Sequence, residues 1–209
     1  GKTGAWSYTD GSANLSRNSD GGEGKIYAAR NQASAMQFKF DDGQEYTDVM
    51  KLKVTADILT GPTDKDSCRV DVIGSIESDG HHRVTLCSLS CGKFYVNTMG
   101  TADARDTGAT YEANKRYIVE GIIDEENKTF TVSVKEKDTG VIVLNNFNVD
   151  PYKHDKSNWY EITHGLKGVY FKADRTGNGS PAYSLYSILV EKVVEEAEPW
   201  TVSKGDITL

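Results

Sequence analysis

Apolar and polar residues alternate over many short segments of the chain. Every second position is apolar in residues 36–40, 52–58, 130–134 and 186–190. A period of two places the apolar side chains on one face of a β-strand and the polar side chains on the other. Because these segments are separated by turn residues and no long helical pattern interrupts them, the sequence predicts an all-β antiparallel protein.

The alternation also predicts where the strands lie. The expected strands are residues 25–30, 34–41, 49–59, 68–76, 83–89, 92–98, 115–123, 128–136, 140–148, 166–173 and 184–194. Residues 60–67, 99–114 and 149–165 are expected to form longer loops, which on a rigid scaffold often carry binding residues. About eleven strands exceed what one open twisted sheet usually holds, so the predicted fold is a two-sheet antiparallel β-sandwich.

The two ends of the chain differ from this pattern. Residues 1–24 are rich in Gly, Ser, Asn and Asp, which predicts a loop-like N-terminal arm that packs through Trp6. The sandwich domain is then expected over residues 25–194. Residues 195–209 open with an acidic run, which predicts a linker or tail towards a further module following Leu209.

Composition and charge narrow the classes of partner. The net charge is −7 and the 24 Lys and Arg are scattered, so the chain lacks the basic surface that nucleic-acid binding requires. No segment approaches the ~20 apolar residues of a membrane-spanning helix, so membrane insertion is not expected. The 11 Tyr against 6 Phe supply apolar rings with polar tips, which suit a hydrated binding face.

Cysteine and acidic residues leave two structural questions open. The three cysteines, Cys68, Cys87 and Cys91, exclude a fully paired disulfide framework but allow one bridge with one free thiol. Acidic residues in turns offer the oxygen ligands that Ca²⁺ prefers, so a structural Ca²⁺ is considered and no other cofactor is expected. The candidate calcium ligands are Asp64, Asp66 and Asp174.

Common catalytic motifs are missing from the sequence. It contains no G-x-S-x-G, H-E-x-x-H or G-x-x-x-x-G-K-[ST] motif. A glycosidase needs two carboxylates flanking one bond, and the nearest candidates, Asp124, Glu125 and Glu126, lie in a predicted turn. No hydrolase or nucleotide site is therefore predicted.

One segment resembles a lyase. Residues 166–173, and Tyr170-Phe171-Lys172-Ala173 in particular, are similar to the Y-F-K-A-G-x-Y-N-Q strand of jelly-roll alginate lyases. That resemblance implies β-elimination on an acidic, uronate-containing glycan, with Tyr170 as acid/base and Lys172 binding substrate. The family's R-x-E-L-R element has no counterpart near Arg30, and its Q-I-H element is also missing, with residues 74–78 occupying a plausible place for it.

Aromatic and hydrogen-bonding side chains concentrate in the predicted loop 149–165 and near one predicted strand. Sugars present C–H-rich faces that stack on aromatic rings, while planar polar groups bind their hydroxyls. Residues of both kinds are the candidate glycan ligands, with Lys172 as a further hydrogen-bond donor. The candidates are Trp159, Tyr160, His154, Tyr95, Asn97, Arg105 and Tyr111.

The second half of the chain resembles a known domain class. Residues 117–124 followed by 128–134 look like a hairpin of concanavalin-A-like jelly-roll domains appended to secreted bacterial polysaccharide-degrading proteins. Residues 184–191 are similar to the last strand of those domains, although Tyr186 and Ser187 stand where the family often has Asp. The resemblance covers residues 25–194 and implies a jelly roll with a groove across one sheet that holds glycan chains.

These observations give three functional hypotheses. The first is a non-catalytic module of a secreted or cell-surface multidomain protein that binds a polysaccharide or oligosaccharide. The second is a polysaccharide lyase acting on an acidic glycan through Tyr170. The third is a structural or adhesive spacer without a ligand of its own.

Overall fold

The structure is a computed structural model. It describes residues 4–10, 15–17, 24–26, 33–40, 51–64, 67–73, 83–97, 104–124, 126–127, 129–149, 168–174 and 183–193. Side chains are described only from residue 51 onwards, and those of Asn97, Tyr170, Lys172 and Asp174 are outside the description.

Fourteen strands make up the described chain. In chain order they are β1 (Gly4–Asp10), β2 (Leu15–Arg17), β3 (Gly24–Ile26), β4 (Ala33–Phe40), β5 (Lys51–Leu59), β6 (Ser67–Ile73), β7 (Arg83–Ser90), β8 (Lys93–Asn97), β9 (Ala104–Thr110), β10 (Arg116–Asp124), β11 (Thr129–Glu136), β12 (Ile142–Val149), β13 (Gly168–Asp174) and β14 (Tyr183–Lys192). No helix occurs among the described residues, and thus none there is long and apolar enough to cross a membrane.

The strands form two antiparallel sheets of seven strands each. Sheet A has the order β1-β4-β13-β6-β7-β8-β9, and sheet B has the order β12-β11-β10-β5-β14-β3-β2. The chain passes from sheet A to sheet B and back several times, for example from β4 to β5 to β6. The protein is therefore a two-sheet antiparallel β-sandwich, as the alternating pattern predicted.

The core lies between the inner faces of the two sheets. Burial alternates along the central strands of sheet B, where Leu52, Val54 and Ala56 of β5 are fully buried between half-buried polar positions. The two sheets are in close contact at Gly121 of β10, where an added Cβ would collide with Cδ2 of Leu86 from β7. Glycine is needed there because the facing leucine occupies the space of a side chain.

Three segments differ from their predicted structure, of which residues 15–17, expected in the N-terminal arm, form β2 at the edge of sheet B. Residues 4–10 were expected in a loop-like arm but form β1, which pairs with β4 so that Trp6 lies opposite Phe38. Residues 104–110 were expected in a loop but form β9 at the edge of sheet A. The alternation is weak in β9 because its inward positions, Arg105, Thr107 and Ala109, are only half-buried.

Hydrogen bonds between Thr60 and Lys115 join the segment after β5 to the segment before β10. The backbone N–H of Thr60 donates to the carbonyl of Lys115 at 2.9 Å, and the Lys115 N–H donates to the Thr60 hydroxyl at 3.1 Å. Thr60 is buried, so these bonds satisfy backbone groups that would otherwise be desolvated without a partner. The segment 60–64 also contacts the β7–β8 turn, where the Cys91 thiol donates to the carbonyl of Asp64 at 3.4 Å.

Candidate functional site

Tyr95 lies on the outer face of sheet A. It sits in β8 between Phe94 and Val96, both fully buried, so strand alternation places Tyr95 on the face directed away from the core. Its side chain is half-buried. Among the predicted glycan ligands, Tyr95 therefore has a side chain that lies on the outer surface of sheet A.

Small residues follow the outer face of the neighbouring strand. In β7, Ser88 and Ser90 are half-buried and alternate with the fully buried Cys87 and Leu89. Ser88 lies directly opposite Tyr95 in the strand pairing, and Ser90 lies opposite Lys93. Because serine side chains are short, the outer surface of sheet A is recessed along β7 relative to the strands on either side.

Arg69 stands on the other side of this low strip. It belongs to β6, alternates with the buried Cys68 and Val70, and lies opposite Ser88. The strands on either side of β7 are about 10 Å apart, at roughly 4.8 Å per strand spacing. The β7 groove is thus defined by a floor of Ser88 and Ser90 and by walls of Arg69 on one side and Lys93 with Tyr95 on the other.

An ion pair closes the outer wall of the β7 groove. Nζ of Lys93 lies 2.6 Å from Oδ2 of Asp106, and the N–H of Gly108 donates to Oδ1 of Asp106 at 2.9 Å. The hydrogen bond to Asp106 raises the pKa of Lys93, and the same bond is the main reason why the pKa of Asp106 is lowered. Asp106 lies directly opposite Tyr95, so this compensated pair adjoins the aromatic ring position.

Strand pairing also places the lyase-like segment next to the groove. In β13, Lys172 lies opposite Arg69, and Tyr170 lies opposite Asp71 of β6 on one side and Gln37 of β4 on the other. Residues 67–73 therefore pair with the segment that resembles the alginate-lyase strand, and residues 74–78 lie outside the described residues. The positions of Tyr170 and Lys172 alternate with the buried Val169 and Phe171, which assigns them to the outer face of sheet A.

Two predicted ligands are not at this surface. Arg105 lies opposite the buried Val96, and its guanidinium carbon lies 5.4 Å from the ring centroid of Phe147 in β12. Arg105 therefore bridges the edges of the two sheets instead of lining the outer face. Tyr111 is only 4% exposed, and its hydroxyl lies 3.0 Å from that of Tyr183, so it belongs to the core.

The remaining predicted residues fall partly outside the description. Trp159, Tyr160, His154 and Asp66 are not among the described residues, and Asn97 is described by its backbone alone, opposite Ala104. The described side chains contain no group of three or more His, Cys, Asp or Glu that could hold a metal ion. The calcium site at Asp64, Asp66 and Asp174 stays a prediction.

The three cysteines are free in the structure. Cys68 and Cys87 are buried, and burial strongly raises the pKa of the Cys87 thiol. Cys91 is exposed in the two-residue turn between β7 and β8, where its φ of 49° and the φ of 76° at Gly92 form a tight hairpin connection. The disulfide that the sequence left open does not occur.

Sequence reasoning missed Arg69, Ser88, Ser90 and Asp106. The alternation assigns the first three to the polar side of their strands, but it does not say which strands are neighbours. Asp106 was hidden because β9 was taken for a loop. The groove becomes visible only when the pairing of β6, β7, β8 and β9 is known.

Comparison with known proteins supports the fold assignment. No protein-family model matches the sequence, and no curated protein matches it. Many solved structures are similar in fold, and several are lectins. The legume lectin-like domain from Entamoeba histolytica has a TM-score of 0.55 and 9% identity, covering 90% of this chain and 90% of that chain.

Two further structures show the same architecture. Peanut lectin has a TM-score of 0.56 and 12% identity, covering 88% of this chain and 89% of that chain. The exoplasmic/lumenal domain of VIP36, in a form with bound Ca²⁺ and Man3GlcNAc, has a TM-score of 0.53 and 9% identity, covering 93% of this chain and 86% of that chain. At these identities the similarity establishes a lectin-like jelly-roll fold.

Proposed function

We propose that this chain is a non-catalytic glycan-binding module of a secreted or cell-surface multidomain protein, and that the β7 groove holds the sugar. The observation that carries the proposal is the serine floor between Arg69 and Tyr95. A shallow sugar site needs an aromatic ring for the C–H-rich face and polar groups for the hydroxyls, and this groove combines both within two strand spacings.

The roles of the described residues follow from their positions. Tyr95 supplies the ring against which a sugar face stacks. Ser88 and Ser90 leave room for the sugar and offer hydroxyl groups, while Arg69 donates hydrogen bonds from the opposite wall. Trp159, Tyr160 and His154 belong to the same proposal as residues that extend the site from the loop 149–165, and Asn97 extends it along β8.

The fold of the chain supports this proposal by analogy. Proteins of the same architecture include peanut lectin and the VIP36 domain with bound Man3GlcNAc. Fold similarity alone does not assign a function, because one fold hosts many activities. The proposed function is therefore tested by substituting residues of the site.

The test measures retardation of the protein in affinity gels that contain neutral or uronate polysaccharides. We expect Tyr95→Ala to weaken binding about fivefold to thirtyfold, since stacking and ring burial contribute about 1–2 kcal/mol. Tyr95→Phe keeps the ring and should retain most of the affinity. Leu189→Ala, at a 52% exposed position on sheet B, is the matched control and should bind normally.

Two results would contradict the proposed site. Unchanged binding by Tyr95→Ala would remove the β7 groove from the site, and Trp159→Ala tests the loop in the same way. A protein that binds no polysaccharide of the panel would favour the spacer hypothesis over glycan binding.

A second candidate function is supported by strand register. Tyr170 and Lys172 occupy adjacent outer positions of β13, and Arg69 lies opposite Lys172. Elimination from a uronate needs a base and a cation that neutralises the carboxylate before the α-proton is removed. A polysaccharide lyase would raise the ultraviolet absorbance of the unsaturated product on acidic glycans, and Tyr170→Phe would abolish that rise. Binding without absorbance change supports the non-catalytic module.

A further inference from the structure

We propose that the ion pair between Lys93 and Asp106 binds two adjacent hydroxyl groups of the sugar that stacks on Tyr95. The β7 groove then selects sugar units that carry an unsubstituted vicinal diol. This inference rests on the proposed function, because it names the chemical group that the same groove recognises. It adds two specificity-determining residues that the sequence alone did not reveal.

Both charged groups lie on the outer face of sheet A beside the position of the tyrosine ring. Lys93 and Tyr95 flank the fully buried Phe94 in β8, so strand alternation directs both of them outwards. Asp106 of β9 lies directly opposite Tyr95 in the strand pairing. These two positions are therefore one strand spacing, ~4.8 Å, apart. A sugar that stacks on Tyr95 has its β9-side edge next to the ion pair.

The ion pair keeps hydrogen-bonding capacity on both of its partners. Nζ of Lys93 donates to Oδ2 of Asp106 at 2.6 Å, and the N–H of Gly108 donates to Oδ1 of Asp106 at 2.9 Å. An ammonium group has three donors, and a carboxylate has about four acceptor sites. The contacts that the described residues make with these two side chains use one donor and two acceptor sites. Both donors and acceptors therefore remain for a ligand.

The pair is accessible and held in place at the same time. The side chains of Lys93 and Asp106 are 46% and 41% exposed, so a ligand can reach them, and an ion pair this exposed contributes little to stability. The pairing of β8 with β9 shifts between Lys93 and Tyr95, and Gly108, with a φ of 78°, lies within this irregularity. Such bulges re-aim side chains, and here the Gly108 N–H anchors the carboxylate. Groups that are already oriented lose less freedom when a ligand binds.

A vicinal diol matches this pair in chemistry and in spacing. Each hydroxyl group can donate and accept a hydrogen bond, so one hydroxyl donates to the Asp106 carboxylate while its neighbour accepts from the Lys93 ammonium. Because the two charged atoms are only 2.6 Å apart, hydroxyls on neighbouring ring carbons reach one partner each. A lone hydroxyl satisfies only one of them. Since the pair carries no net charge, this recognition does not require a charge on the sugar.

The experiment compares sugars that differ by one hydroxyl group. Binding is measured by isothermal titration calorimetry with trisaccharides of the gluco, xylo and galacto series and with analogues in which one ring hydroxyl at a time is replaced by hydrogen. These deoxy analogues keep the ring that stacks on Tyr95. We expect the affinity of the best-bound trisaccharide to fall about tenfold to a hundredfold at two adjacent ring positions, as loss of a hydrogen bond to a charged group allows.

Variants assign the two hydroxyls to the ion pair. Asp106→Asn keeps the shape of the side chain but removes its charge, so it should weaken binding of the unmodified trisaccharide about tenfold and remove its advantage over one deoxy analogue. Lys93→Gln should do the same for the analogue that lacks the neighbouring hydroxyl. Glu120→Gln breaks the comparably exposed ion pair with Lys53 on sheet B, at 2.8 Å, and should bind as the parent chain does. Thermal unfolding of each variant confirms that it is folded.

Each outcome decides the inference. Deoxy losses that do not fall on adjacent positions, or an equal weakening of all sugars in Asp106→Asn, overturn the diol assignment while the glycan-binding function stands. A loss in Glu120→Gln equal to that in Asp106→Asn would show a general effect of charge and would also overturn it. Where polysaccharides bind but trisaccharides do not, gel retardation of Asp106→Asn decides: a loss supports the assignment, and unchanged retardation overturns it. Failure of every trisaccharide and polysaccharide removes the glycan-binding function together with the inference.

Discussion

The guanidinium of Arg116 lies over the ring of Tyr186, with its central carbon 3.5 Å from the ring centroid. The same guanidinium donates to both carboxylate oxygens of Asp57, from Nε at 3.1 Å and from Nη2 at 2.6 Å. Nζ of Lys137 also bonds Asp57, which is only 6% exposed. One buried carboxylate thus joins β5, β10 and the segment after β11, while the tyrosine of β14 covers the arginine.

We expect Asp57→Asn to destabilise the fold. It removes the charge that compensates Arg116 and Lys137, whose side chains are 27% and 38% exposed. Because both cations keep some contact with water, the free energy of unfolding should fall by about 2–3 kcal/mol. This is at or below the lower end of the ~3–5 kcal/mol expected when a fully buried ion pair loses one partner. Urea unfolding at neutral pH measures the change in the free energy of unfolding.

A second ion pair on the same sheet provides the control. Nζ of Lys53 lies 2.8 Å from Oε2 of Glu120, but both side chains are about one-third exposed, at 35% and 33%. Glu120→Gln should cost less than about 1 kcal/mol. Equal losses in the two variants would contradict the special role assigned to Asp57.

Gly121 gives a prediction about core packing. A Cβ at this position would collide with Cδ2 of Leu86 and approach Cε2 of Phe130 to 3.2 Å. Gly121→Ala should therefore cost about 1–3 kcal/mol through overpacking. Leu86→Val shortens the opposing side chain, so the double variant should lose less stability than the sum of the two single variants. Additive losses in urea unfolding would show that the contact is not the cause.

The alternation of apolar residues predicted most strands because burial follows it closely. In β10 and β11, half-buried or exposed residues alternate with buried ones along most of each strand. The pattern failed in β9. This strand lies at the edge of the sheet, where inward positions are only half-buried, so Arg105 and Thr107 can occupy them in place of apolar residues. It failed in β1 because the glycine and serine content of the first residues resembled that of a loop.

The candidate site was predictable only in part because it depends on which strands are neighbours. Tyr95 is a candidate ligand by its residue type and strand position alone. Arg69 and Ser88 become site residues only through pairing between β6, β7 and β8, which local periodicity does not encode. Tyr111 was misplaced because its loop folds inward, so that the ring packs 5.6 Å from Phe94, centroid to centroid.

Asp124 predicts how stability responds to acid. Burial of its carboxyl would raise the pKa, but hydrogen bonds from the N–H and Nδ2 of Asn127, at 2.9 and 3.0 Å, and the ion pair with Lys51 at 3.2 Å outweigh it. The pKa of Asp124 is therefore lower in the folded than in the unfolded chain. Its stabilisation is present above pH about 4 and is lost as the pH falls through the folded pKa.

Asp124→Asn tests this dependence. The variant should lose about 1–2 kcal/mol at neutral pH, because the charge-assisted bonds in the β10–β11 turn are weakened. Its free energy of unfolding should also fall less steeply than that of the parent chain below pH about 4. Asp106→Asn, at a 41% exposed side chain, should change the acid profile less. Parallel acid profiles for Asp124→Asn and the parent chain would contradict the prediction.

The contact between Arg105 and Phe147 links the edges of the two sheets. Its removal should lower the stability of the fold without weakening glycan binding. Arg105→Ala should lower the free energy of unfolding by about 0.5–1 kcal/mol, as loss of a partly exposed cation–π contact does. Phe147→Leu should remove the same contact, so the double variant should lose less than the sum of the single losses. Because Arg105 is directed away from the β7 groove, polysaccharide retardation of Arg105→Ala should equal that of the parent chain. Weakened binding in a folded Arg105→Ala protein would instead place the glycan at the β9 edge and return Arg105 to the site.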